Sequence, residues 1–490
     1  MNENPREYAM AIDRPSRVAF LCPILAAIGL GVLLPGQAPA ETTVFCAGAA
    51  TVKITPAVGT PMAGYYGKRG VQGVLDDLFA KAVVFNDGKT KVAMVVCDLL
   101  GLPRTVVVEA RQLIEQKTGI PADHVMISAT HTHTGPVIPG DSEIDNLVIG
   151  NDKHCQEYVR QLPKWIAESV EKADKQASAA RVSFGSDKES GISFIRRFRM
   201  KDGSVAWNPG KLNPNIIQPI GTIDPQVNVV SVDSFGNPTP TSKPMLTYVN
   251  FANHLDTTGG LLVSADYPAT LAKRLADYKG QGMLTMFANG TCGNINHLDV
   301  HSATPQSGPE EAKRIGTILA GAVLKAYLHL TPVQDTTLQV RRETVSLPLA
   351  PYTENELREA RKIVARNGAN ATFLEQVKAY RIVDVANQKG KPLDVDVQVI
   401  ALGRDIAWVA LPGEVFVELG KSIKAKSPFR QTNVIELSNG YCYYIPNRSA
   451  YAEGQYEVVT SRYAEGAGEM LTATASRLLD ELFRSAAEKR

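Results

Sequence analysis

Cysteine, histidine and tryptophan are scarce in this chain of 490 residues, with six, eight and three of them respectively. Cys22 lies in an amino-terminal apolar run. The other cysteines, Cys46, Cys97, Cys155, Cys292 and Cys442, are odd in number and widely spaced, which excludes a disulfide framework. Cys97 ends the apolar run Val92 to Val96 and reads as a buried thiol. An excess of one charge sign is also missing. Lysine plus arginine number 52 against 50 acidic residues, a net charge of +2. The basic residues are scattered, so nothing marks a surface for nucleic acid or for an anionic membrane. After residue 40 there is no low-complexity stretch, no internal repeat and no apolar run long enough to span a bilayer. What remains is ordinary globular composition, 44% hydrophobic and 21% charged. The partner it suits is a small-molecule or lipid substrate.

The first forty residues differ from the rest. Arg14 and Arg17 precede an apolar run from Val18 to Leu34, and Pro35 to Ala40 follows with small residues placed for cleavage after Ala40. This is the pattern of a signal peptide over 1–40, and it predicts a secreted or periplasmic protein. An uncleaved anchor is the alternative, because the run approaches the length of a membrane span. The mature chain, 41–490, reads as one large α/β domain with mixed sheets flanked by helices. Helices are predicted over Thr105–Gln116, Gln156–Gln176, Ala265–Tyr278, Pro309–Leu330, Asn355–Arg366, Thr372–Val383 and Met470–Arg490. The stretch from Arg196 to Pro225 is rich in Gly, Pro and Asn and reads as a long ordered loop.

Scarce histidines make their positions informative. Thr130-His131-Thr132-His133 follows Val125 to Ala129, which reads as a buried strand. In extended backbone, side chains two apart share a face, so both imidazoles are expected to enter one pocket. Four more apolar strands end in polar residues: Met245–Phe251 before Asn253-His254, Met283–Phe287 before Gly290 to His297, Ile406–Leu411 before Glu414, and Val434–Leu437 before Asn439 to Tyr444. Ligands of α/β sheets bind beyond the carboxyl ends of strands. Imidazoles, a carboxylate and a phenol suit Zn²⁺, with Asp256 and Asp266 as partners that orient imidazole N–H groups. Each member also has a simpler role. His254 suits a satisfied core histidine, and Glu414 suits a cap on the helix Val415 to Lys424. Tyr441, Tyr443 and Tyr444 suit core aromatics, and His297 and His301 suit a loop.

At these residues the chain resembles the neutral ceramidases, specifically their amino-terminal catalytic domain. The likeness runs from Gly48-Ala49-Ala50-Thr51-Val52-Lys53-Ile54-Thr55-Pro56 through Met62-Ala63-Gly64-Tyr65 and Ala129 to Pro136. It continues through Asp224-Pro225, Asn253-His254, Leu411-Pro412-Gly413-Glu414 and Asn439 to Ile445. The resemblance implies a zinc amidase that cleaves the N-acyl bond of a sphingolipid. It implies His131, His254, Glu414 and Tyr444 as zinc ligands, His133 beside the metal, and Arg196, or its neighbour Arg197, holding substrate. The family's serine followed by proline falls on Asn296-His297. Asn296 can donate a hydrogen bond to a carbonyl or oxyanion but has no hydroxyl. The expectation is therefore an exported zinc-dependent hydrolase of an N-acyl amide. The alternatives are a zinc hydrolase of an ester, lactone or N-acylated sugar, and a non-catalytic binding protein on the same fold.

Overall fold

Two β-sheets packed face to face, with helices on their outer faces, account for most of the chain. The computed structural model describes residues 44–140, 152–235 and 242–488; residues 1–40, read above as a signal peptide, lie outside them. Residues Thr43–Arg490 form one compact unit. The larger sheet runs in the order Leu284–Asn289, Ser242–Phe251, Gln226–Phe235, Ser178–Lys188, Cys46–Lys53, Phe79–Asn86, Lys91–Cys97, Val125–Ala129. Its interior pairs are antiparallel, whereas the outermost pair at each end is parallel. The smaller sheet orders Leu338–Leu347, Leu393–Leu402, Ile406–Ala410 and Gln431–Ile435, and its last pair is again parallel. Val125–Ala129, Ile406–Ala410 and Gln431–Ile435, which all take part in parallel pairs, are buried along their whole length because both of their faces are covered.

One core lies between the sheets. Val83, Phe85, Met94 and Val96 from the larger sheet meet Ile400, Ile406, Trp408 and Ile435 from the smaller. Trp408 and Phe85 are among the largest fully buried side chains. Outside the larger sheet, Arg104–Thr118 and Lys153–Lys175 cover one end, and Tyr267–Lys279 with Pro309–Ala326 cover the other. Val417–Lys426 and Ala467–Glu488 cover the smaller sheet. The result is a helix–sheet–sheet–helix sandwich. No helix among the described residues is long and apolar enough to cross a membrane.

Local chemistry explains the boundaries. Gly119 ends the first helix at φ 70°, a left-handed conformation that only glycine adopts without strain. Pro268 sits in the first turn of its helix, and Pro163 lies inside Lys153–Lys175. Thr353 and Thr372 each form a capping box with the glutamate three residues on. The helix from Pro309 stops at Ala326 and tightens into a 3₁₀ turn over Tyr327–His329, short of the predicted Leu330. The predicted loop at Arg196 to Pro225 contains a small antiparallel sheet, Ile216–Pro219, Arg197–Met200 and Val205–Trp207. Strands of three or four residues joined by turns leave no periodic signal, so composition alone misreads them. The described cysteines are all free thiols, and Cys97 is fully buried, as its apolar run predicts.

A buried ion pair braces the strand end nearest the paired histidines. Lys81 Nζ lies 3.0 Å from Asp98 Oδ1, and Asp98 Oδ2 accepts the Phe79 amide at 3.0 Å. Just beyond Asp98, the carbonyls of Leu99 and Leu100 receive the His131 amide and ring N–H. Replacing Lys81 with Met strands a carboxylate with no solvent exposure. The expected cost is about 3–5 kcal/mol, read as a lowered Tm in calorimetry. The double variant Lys81→Met, Asp98→Leu is expected to recover much of it. A single variant that melts with the wild type would show that the pair braces nothing.

Candidate metal centre and its pocket

Four polar atoms meet where the strand ends converge. His131 Nε2 lies 3.1 Å from His254 Nε2, 3.3 Å from His133 Nε2 and 3.3 Å from Glu414 Oε2. His254 Nε2 is 4.0 Å from the same carboxylate oxygen. His131, His254 and Glu414 are each at most 3% exposed. Ligand nitrogens of His131, His133 and His254 all lie within 4.8 Å of one another.

The two motif histidines meet by a different route from the one strand alternation predicts. The strand ends at Ala129, and His131 adopts φ 79°. A left-handed residue is costly for a side chain with a Cβ, and here neighbouring bonds fix it. The His131 amide donates to Leu99 O at 2.8 Å, and the His133 amide donates to Leu255 O at 3.0 Å. Thr132 Oγ1 donates to Ser264 O at 2.7 Å. The turn, not an extended strand, aims both rings inward.

Glu414 and Tyr444 arrive together. Their residues pair in register in a short parallel ladder, Glu414–Val415 beside Tyr444–Ile445. Gly413 precedes Glu414 at φ 66°, and a Cβ there would lie 2.3 Å from Tyr443 O. Gly293, from the loop after Leu284–Asn289, packs equally close, since its Cβ would lie 2.6 Å from Glu414 O. Only glycine allows these backbones to approach so closely. Glu414 does not cap a helix, because the following helix begins at Val417. Tyr444 hydrogen-bonds Glu414, and Tyr441 Oη donates to Glu414 Oε1 at 3.1 Å.

Electrostatics favour neutral imidazoles at His133 and His254. Burial, and then the neighbouring His131, hold His133 and His254 well below the ordinary imidazole pKa. Burial also pulls His131 down, but the charge and hydrogen bond of Glu414 outweigh it and leave the pKa raised. In Glu414 burial pushes up, while His131, Tyr444 and Arg196 win and hold the carboxyl below its usual range. His131 Nδ1 lies 2.9 Å from the carbonyl oxygen of Leu100, so Nδ1 carries a proton and Nε2 faces His254 and Glu414. Apart from His131, Glu414 Oε2 has no hydrogen-bond partner although it is buried. Atoms packed this closely repel unless a proton or a metal cation lies between them. The donor set of imidazole nitrogens, carboxylate and phenol fits a divalent ion such as Zn²⁺.

The surrounding residues divide into supports and walls. Arg196 Nε pairs with Glu457 at 2.9 Å, its Nη2 donates to Gly293 O at 2.7 Å, and its guanidinium also bonds Tyr444. Arg197 lies beside it on the same Glu457 carboxylate. Asn296 donates to Asn208 Oδ1 at 2.8 Å and accepts the Leu298 amide at 3.0 Å. Asp256 lies 3.7 Å from His133 Nδ1 and receives the Tyr65 hydroxyl. Asp266 orients no imidazole. Its carboxylate accepts the amides of Thr257, Thr258 and Tyr267, so it caps a helix. His297 Nε2 lies 2.8 Å from Gln306 O, and His301 is exposed.

A cavity of about 420 Å³ opens beside the cluster, lined by His131, His133, Glu414, Tyr444, Tyr441 and Tyr456 among others. His254, Arg196 and Asn296 are not part of its lining. Tyr456 was not visible as a site residue in the sequence. Its ring stacks on Trp207 at 4.6 Å and meets Tyr444 edge-on at 5.4 Å. Glu436 and Cys292, behind His254, were also missed. A lone glutamate closing the run Val434-Ile435 was the available signal.

No family model matches the chain. Among solved structures it is similar to neutral ceramidase from Pseudomonas aeruginosa, with TM-score 0.71 and 18% identity over 90% of this chain and 75% of that one. A ceramidase complexed with C2 gives TM-score 0.69 and 18% identity, over 90% and 76% of the two chains. The chain therefore has a neutral ceramidase-like fold, with three buried imidazoles able to hold a metal where its strand ends meet.

Proposed function

We propose that the protein is an exported zinc-dependent hydrolase of N-acyl amide bonds, related to the neutral ceramidases. One observation carries this reading: ring nitrogens of His131 and His254 and a carboxylate oxygen of Glu414 converge on a common point, beside an open pocket, on a ceramidase-like fold. His131, His254, Glu414 and Tyr444 would hold the ion. Zinc in such a site polarises a carbonyl and brings the acidity of water near neutral pH. His133, on the cavity wall and neutral, takes the proton of the attacking water and passes it to the departing amine nitrogen. Water's hydroxyl goes to the acyl carbon as the C–N bond breaks, giving a carboxylic acid and an amine. Arg196 acts by holding Tyr444 and the Gly293 carbonyl, and Asn296 by fixing the loop at Asn208, or by binding the substrate carbonyl as that loop moves. The signal-peptide pattern of 1–40 supports export.

A second reading of the substrate rests on the pocket wall. Beside Tyr65, Tyr66 and Tyr456 it includes the ion pairs Arg104–Asp396 and Asp384–Arg462. Long alkyl chains against such a wall would desolvate charged groups without replacing their hydrogen bonds. A hydroxyl-rich head group, as in an N-acylated sugar, would satisfy them.

Purified mature protein is expected to carry one zinc per chain by elemental analysis. Chelation should abolish amide hydrolysis, and added Zn²⁺ should restore it. Hydrolysis that persists in metal-free protein would sink the proposal, and metal retained without turnover on ceramides, acyl amino acids and acyl sugars would favour a binding protein. Tyr441→Phe removes the hydrogen bond on Glu414 Oε1 and is expected to weaken Zn²⁺ binding roughly 10–100-fold in chelator competition. Unchanged affinity would show that Glu414 needs no such partner.

A further inference from the structure

Glu436 follows the strand Gln431–Ile435 and is wholly buried. Its carboxylate receives hydrogen bonds from the Cys292 amide at 3.0 Å, the Val415 amide at 2.8 Å and the Cys292 thiol at 2.9 Å. All three donors are neutral. Each belongs to a segment that carries or touches a proposed ligand. Val415 follows Glu414 directly. The Cys292 backbone bonds the His254 ring, and its sulfur lies 3.6 Å from His254 Nδ1. The Glu436 amide donates to Asn289 O at 3.2 Å, and Asn289 Nδ2 reaches Thr130 O, next to His131, at 3.3 Å. One side chain thus ties the loop that touches His254 to the loop that presents Glu414.

A glutamine would place an oxygen on both amides but would turn an amide N–H towards the Cys292 thiol, which needs an acceptor. We infer that Glu436 is the positioning residue of the metal centre. It clamps the loop that touches His254 to the loop that presents Glu414, through Cys292 and Val415. This inference rests on the metal-centre reading above.

The test compares wild type, Glu436→Gln, Cys292→Ala and Cys292→Ser. Zn²⁺ affinity is measured by chelator competition, the ligand field by visible absorption of the Co²⁺-loaded proteins, and the fold by thermal unfolding without metal. Metal-free Glu436→Gln is expected to melt with the wild type, to bind Zn²⁺ roughly 10–100-fold more weakly and to shift the Co²⁺ bands. Cys292→Ala is expected to weaken Zn²⁺ as well, with Cys292→Ser restoring most of the loss. Wild-type affinity and an unchanged Co²⁺ spectrum in Glu436→Gln would overturn the positioning role. Should that variant fail to fold, wild-type affinity in Cys292→Ala overturns the clamp. A wild type that binds neither ion would remove the metal-centre reading itself, an outcome distinct from both.

Discussion

The close approach of three imidazoles and a carboxylate governs this protein's centre. His131 Nε2 faces His254 Nε2 at 3.1 Å and Glu414 Oε2 at 3.3 Å, in a site almost closed to solvent. Water cannot screen such an arrangement, and few other donors approach it. The rest of the sandwich is arranged to hold these atoms where they would not remain by themselves. The left-handed turn at His131, the glycine contacts of Gly293 and Gly413, and the ladder between Glu414 and Tyr444 all force close approach. Strain of this kind persists only where surrounding structure over-determines it, and it is concentrated at functional sites.

The supporting framework is layered outward. Nearest the cluster stand hydrogen bonds to ring nitrogens and to the Glu414 carboxylate. Beyond them come buried charges, Lys81 with Asp98 and Arg196 and Arg197 with Glu457. Farther out lies the apolar core between the sheets, around Trp408 and Phe85. Removing one partner from a buried pair costs far more than never having placed it there, so these supports are tightly coupled to one another. Precise geometry at the centre is thereby distributed over the whole domain.

Much of this was legible in the sequence. The apolar runs ending at Ala129, Phe251, Phe287, Leu411 and Leu437 announced buried strands, and the polar residues after them announced a shared site. Capping residues and prolines placed the helices to within a few positions. The failures have specific causes. Alternation was applied to His131 and His133, but the chain had already left the strand and turned. Asp266 was read as an imidazole partner, whereas three backbone amides claim its carboxylate. The short strands after Arg196 are held by tertiary pairing and carry too few residues for a period. Glu436 and Cys292 were overlooked because buried partners of a site are fixed by folding, not by spacing.

The proposed ligands stand at positions 131, 254, 414 and 444, so most of the polypeptide separates the first from the last. Bringing such remote points together incurs loop-closure entropy long before any contact repays it. No product that stops short of residue 444 contains the full set, and no fragment that lacks the long-range contacts can present it. A chelate of all four would form only once the distant strand ends have met. Metal content would then act as an internal certificate that tertiary assembly has reached its end.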